Sequence, residues 1–135
     1  NGAMETVSEL RVRYAETDQM GIVHHANYVV WLELGRSDWM RARGKGYAEI
    51  EAAGFRLVVN AVQVHYRAPA HYDELVQVHT RLKEAGRRKV VFGYVVTRGA
   101  QKLAEGESVH LVADGQGRAA VLPEALLTLI RGEAP

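Results

Sequence analysis

The chain has 135 residues, the size of one domain able to bury about two thirds of its unfolded surface around a single core. Seventeen Lys and Arg against sixteen Asp and Glu leave a net charge of +1, so no global field recruits nucleic acid or an anionic membrane. The lack of cysteine removes disulfides, thiolate metal sites and cysteine nucleophiles, and excludes a disulfide-stapled secreted scaffold. A cytoplasmic location fits. No run of about 18 apolar residues is present to cross a bilayer, so membrane insertion is not expected. Asn1, Gly2 and Ala3 precede the first methionine and are read as a remnant outside the native chain, with one domain over residues 4–135.

From Val7 to Tyr14 apolar and charged residues alternate as in a strand, and the polar run Glu16 to Gly21 reads as a loop. Asn27 is placed to cap a helix from Tyr28 to about Arg43, with Gly44 and Gly46 as its stop. Tyr28, Val29, Val30, Trp31, Leu32 and Leu34 make the first half of that helix apolar nearly all round, which predicts that protein surrounds it. After a short helical turn over 46–54 the period changes. In the segment Arg56 to Arg67, Val58, Val62, Val64 and Tyr66 are expected on one buried face. Val76 to Leu82, Val90 to Val96 and Lys102 to Ala113 follow as half-buried strands joined by glycine-containing turns, an antiparallel meander. Pro123 can open a final helix through Ile130. A sheet hides one apolar helix by curling round it, and the edges left over predict a homodimer or homotetramer.

The segment from Tyr14 to Tyr28 gathers titratable and glycine residues directly before the apolar helix. The first amides of a helix lack internal partners, so a carbonyl lying there is polarised and its developing charge stabilised. Asp18 is the candidate carboxylate, to attack that carbonyl or to draw a proton from water; its other reading is the cap of a turn. Glu33 on the helix is read as a buried carboxylate, either a second active-site group or the ion partner of a strand arginine such as Arg67. Arg87, Arg88 and Lys89 form a basic cluster at a hairpin, suited to phosphates or simply solvated. Adjacent His24 and His25 lack a third ligand at metal spacing, so no metal is expected.

The tyrosine, the Thr17-Asp18 pair, Gly21, His25 and the Asn27-Tyr28 helix opening together resemble the signature of the 4-hydroxybenzoyl-CoA thioesterase family. The resemblance runs from about Leu10 to Pro123, takes in Tyr66-Arg67-Ala68-Pro69-Ala70, and is nearest the acyl-CoA thioesterases associated with the Tol-Pal system. It implies an α+β hotdog fold, an antiparallel sheet wrapped round one long helix, and hydrolysis of acyl-CoA with no metal or organic cofactor. Acyl carrier protein is an alternative thioester donor. The family's catalytic aspartate falls on Asp18, its motif histidine on His25 with an oxyanion amide nearby, and its tyrosine on Tyr14, which otherwise reads as a strand-end aromatic packed on the core. Gly21, Val23, His24 and Asn27 are the expected substrate-facing neighbours, with Glu33, Arg87, Arg88 and Lys89 further out. His24 departs from the tyrosine usual in the Tol-Pal branch. Two other classes stay open: a hotdog hydratase or dehydratase, and a non-catalytic acyl-CoA binding module.

Overall fold

The computed structural model describes residues 5–43 and 45–132. Strand β1 covers Thr6–Arg11, helix α1 Ala26–Ala42, α2 Lys45–Ala52, β2 Arg56–Tyr66, β3 Leu75–Ala85, β4 Lys89–Arg98, β5 Gln101–Ala113 and α3 Glu124–Arg131. One five-stranded sheet forms in the order β1-β3-β4-β5-β2, and every pairing is antiparallel. The hotdog architecture is present, with α1 laid across the inner face of the sheet. Beneath it Val78, Phe92, Tyr94 and Val96 are buried, and Tyr28, Trp31, Leu32, Gly35 and Trp39 of α1 meet them. Those five helical positions recur at a spacing of three and four, so they share one stripe.

Several sequence expectations are corrected. The first strand stops at Arg11, and Tyr14–Glu16 is a single 3-10 turn rather than strand. Helix α1 begins at Ala26 with His25 in the cap position, so Asn27 lies inside the helix. The helix is not enclosed: Val29, Val30 and Leu34 are 41%, 50% and 40% exposed, because a single sheet covers only one stripe of a cylinder. Gly46 lies within α2 rather than ending α1, and Gly44 falls outside the described residues. The strands β3, β4 and β5 form the expected meander, and β2, whose partner the sequence left open, pairs with β5 at the far edge. The connection over 67–74 therefore crosses the end of the sheet.

Strand β2 also lacks the single buried face read from its valines. A bulge between Val59 and Ala61 adds one residue and reverses the alternation. Val58 then sits opposite Leu111 on the outer face, while Val62 sits opposite buried Ser108 on the inner one. Val58, Val59, Val62 and Tyr66 are all exposed.

One polar chain runs through the core. Arg36 Nη1 donates to Tyr94 Oη at 3.4 Å, Tyr94 Oη lies 2.6 Å from Ser108 Oγ, and Ser108 Oγ lies 2.8 Å from His110 Nε2. Arginine only donates, whereas Tyr94 and Ser108 can each donate or accept, and the His110 ring nitrogen takes the role complementary to Ser108.

Candidate active site

Beyond β1 the chain anchors on Val12, which is buried, turns through Tyr14–Glu16, and closes a narrow loop by an antiparallel bridge between Thr17 and Val23. Within the loop the Asp18 amide donates to the Ile22 carbonyl at 2.9 Å and the Gly21 amide to the Asp18 carbonyl at 3.0 Å. So tight a return needs a left-handed residue, and Gly21 supplies it at φ 78°. Asp18 Oδ1 accepts the Met20 amide at 2.8 Å and the Ile22 amide at 3.2 Å. Among the described residues its Oδ2 accepts none. The turn-capping role and a free carboxylate oxygen thus coexist in one side chain.

The loop is pinned to the crossing segment by the Val23 amide, which donates to the Ala70 carbonyl at 2.9 Å, and by a bridge between Ile22 and His71. His24 then donates its amide to the Glu16 carbonyl at 2.9 Å, and its Nδ1 accepts the Ala26 amide at 3.3 Å. The His25 amide, next in line at the cap position, donates no hydrogen bond among the described residues. Its carbonyl accepts Tyr66 Oη at 3.0 Å, and the His25 ring meets the Tyr66 ring edge-on at 6.2 Å. Ile22, Val23, His25, Tyr28, Tyr66 and Pro69 help line an open, mostly apolar cleft of about 300 Å³ beside this helix start. A cleft of this size is at the lower end of ligand sites.

Asn27 does not cap α1 with its side chain; Nδ2 donates to the carbonyls of Glu16 at 3.0 Å and His24 at 3.3 Å. Tyr14 is not packed on the core. It is 77% exposed and meets Tyr72 edge-on, with ring centroids 5.6 Å apart. Glu33 is exposed, and its partner is Arg36 at 3.9 Å rather than Arg67, which pairs with Glu105 at 2.6 Å. One step of about 100° past Leu32 carries Glu33 off the buried stripe.

Arg87, Arg88 and Lys89 are exposed but lie at the other end of the β3–β4 hairpin from the Asp18 loop, roughly 30 Å away at ~3.3 Å per strand residue. Arg87 Nε donates to the Leu122 carbonyl at 2.8 Å, and Lys89 pairs with Glu84 at 3.5 Å. Within one chain the cluster cannot touch a ligand's near end. No group of three or more metal-ligating side chains occurs among the described residues.

Two residues central to this geometry were not singled out from sequence. Tyr66 reads there as one more apolar strand position. Glu16 reads as loop polarity, yet its side chain is buried. The single sequence signal for it is Trp31, an indole N–H on an otherwise apolar helix stretch that needs an acceptor.

An antiparallel sheet carrying one long helix on its inner face defines the hotdog class of folds. A profile of the thioesterase-like superfamily matches residues 12–130. The putative acyl-CoA thioesterase YneP of Bacillus subtilis (strain 168) is 41% identical over 107 residues, 78% of each chain. The acyl-CoA thioester hydrolase YbgC of Escherichia coli O157:H7 is 28% identical over 103 residues, 76% of this chain and 77% of its own. Among solved structures, a hypothetical protein, TT1821, from Thermus thermophilus superposes with a TM-score of 0.85 at 43% identity, covering 93% of this chain and 97% of the other. The chain belongs to the thioesterase-like superfamily, and it is a thioester hydrolase.

Proposed function

We propose that the protein hydrolyses acyl-CoA thioesters, with Asp18 as the reacting carboxylate and the start of α1 as the oxyanion site. The observation that carries this reading is a pairing of unused groups: among the described residues Asp18 Oδ2 accepts no hydrogen bond, and the His25 amide a few residues on donates none. A thioester carbonyl held at the helix start would have its oxygen on the His25 amide, in the positive field of the helix terminus. Asp18 then attacks the carbonyl carbon, expelling the thiolate as the C–S bond breaks and leaving an anhydride that water hydrolyses, or it takes a proton from a water that attacks directly, the thiolate leaving with a proton as the thiol; both roles use the same free oxygen. The His25 ring and Tyr66 border the cleft and orient the acyl end, with Gly21, Val23, His24 and Asn27 shaping its approach. Exposed Tyr14, beside Tyr72, sits on the loop's outer rim as a substrate contact. No metal or organic cofactor enters this chemistry.

Coenzyme A is the proposed carrier because relatives such as YneP bear that activity in their names; acyl carrier protein is the alternative donor. Placement near the Tol-Pal-associated branch rests on the Tyr14 to Tyr28 segment, from which His24 departs. A cytoplasmic homo-oligomer, dimer or tetramer, is proposed from the exposed β2 edge and the bare face of α1. Contact between coenzyme A phosphates and Arg88 would come from a second copy.

The reading is tested by following thiol release from short, long and aromatic acyl-CoA substrates. Release from at least one class, with no water addition to an enoyl-CoA, supports it. Hydration of the enoyl-CoA, or tight acyl-CoA binding with no turnover, replaces it with the hydratase or the binding module.

A further inference from the structure

Buried carboxylates are rare unless every oxygen is engaged, because an unpaired buried charge costs several kcal/mol. Glu16 is 4% exposed and meets that condition. Its Oε1 accepts the Arg13 amide at 2.8 Å, and its Oε2 accepts Trp31 Nε1 at 2.9 Å and Arg13 Nη2 at 3.2 Å. Its backbone carbonyl accepts the His24 amide at 2.9 Å and Asn27 Nδ2 at 3.0 Å. One residue thereby ties the end of β1, the loop on either side of Asp18, and the first two turns of α1. Trp31 is itself fixed, 2% exposed and stacked near Tyr28 with centroids 4.7 Å apart.

Glu16 stands two residues before Asp18, and its carbonyl holds the residue just before His25. The two unused groups of the site are thus both referred to this one anchor. Glu16 does not line the His25 cleft; it borders a separate groove on the β1 side, with Leu10, Val30 and Leu34. It therefore acts through its neighbours and not on the ligand. Resting on the thioesterase reading above, we propose that Glu16 is a positioning residue that sets Asp18 and the His25 amide at their working separation.

The side-chain chemistry is specific. An indole N–H, a backbone amide and a guanidinium are all donors, and only a carboxylate accepts from all three; glutamine turns an NH2 group toward one of them. Burial alone would raise the Glu16 pKa, but the Arg13 amide, the Trp31 indole and the Arg13 guanidinium together hold it below the usual carboxylate range.

The test measures kcat and KM for thiol release from an acyl-CoA turned over by the wild type, at a temperature below the melting point of every variant. For Glu16→Gln the expected result is a fall in kcat on the order of ten- to a hundredfold with KM within about twofold, since small misplacement of reacting groups costs rate and not remote binding. Trp31→Phe keeps the ring and removes one donor, and should lower kcat about threefold to tenfold. The double variant Glu16→Gln/Trp31→Phe should recover part of the loss, because it removes the donor that clashes with the glutamine amide. A role in folding alone predicts lower melting points with wild-type kcat in the folded fraction, and that result overturns the proposal. If Glu16→Gln does not fold, Trp31→Phe decides: a threefold drop at constant KM supports positioning, and wild-type kcat overturns it. A wild type that hydrolyses and an Asp18→Asn variant that does not, beside an unaffected Glu16→Gln, overturn the positioning role alone; a wild type without hydrolysis overturns both readings.

Discussion

At the scale of single residues, the two oxygens of the Asp18 carboxylate have different surroundings. Asp18 uses Oδ1 to hold the Met20 and Ile22 amides and leaves Oδ2 open, so a turn cap and a reactive carboxylate are not alternatives. A second residue with a measurable signature is His110. Burial, and then the positive charge of Arg36, push its pKa from 6.5 down to about 4. Between those two pKa values the unfolded chain binds more protons than the folded one, so stability rises with pH there. The contribution is complete above pH 6.5 and is lost as pH falls toward 4, about 3 kcal/mol in all. Glu16 and Glu74, whose pKa values are lowered from 4.5, lose their contributions further down, so the upper part of the acid limb belongs to His110. Urea midpoints measured from pH 7 to pH 5 should fall steadily in the wild type, and this slope should flatten in His110→Phe. An equal slope in the variant would show that His110 does not titrate as described.

At the scale of elements, α1 is fitted to β3 at Gly35. A Cβ there would collide with Thr80 Oγ1 and lie 2.8 Å from Val78 Cγ1. Alanine in a helix interior is favoured over glycine by about 1 kcal/mol, while forcing volume into a packed contact costs about 1–3 kcal/mol. The neighbouring atoms are a β-branched pair on a central strand, so the clash wins. Gly35→Ala should lower the thermal midpoint by several degrees, and a midpoint at or above the wild type would refute the fit. How far these elements were legible follows from what each depends on. The type of nearly every element could be read from local period, as with Val90 to Val96 and the Tyr28 to Ala42 helix. The pairing of β2 with β5 could not, because the crossing over 67–74 has no local signature. Neither could the bulge at Asn60, which reverses the faces of Val58 and Val62 through one extra residue. Asp18 could be singled out as a candidate from its loop before the helix, and His25 from the motif it resembles. Glu16 was missed because burial of a loop carboxylate is decided by Trp31, 15 residues away.

At the scale of the whole molecule, the sheet ends in a long apolar edge. Strand β2 exposes Val58, Val59, Val62 and Tyr66, and α1 exposes Val29, Val30 and Leu34. An edge of this length presents unpaired backbone groups that a second copy would pair, covering the valines at the same time. Tyr66 also bonds the His25 carbonyl, so covering β2 would stiffen the cleft. Sedimentation should show a dimer or tetramer for the wild type and a monomer with reduced turnover for Val59→Asp/Val62→Asp; a monomeric wild type with full activity would contradict this. Activity itself turns on the proposed chemistry of Asp18. Its most direct test compares thiol release and acyl-CoA binding in the wild type and Asp18→Asn, which preserves shape and an acceptor oxygen. With Asp18 as the reacting carboxylate, hydrolysis should fall by at least about a hundredfold while binding stays within a few fold. Hydrolysis at the wild-type rate in Asp18→Asn would contradict it.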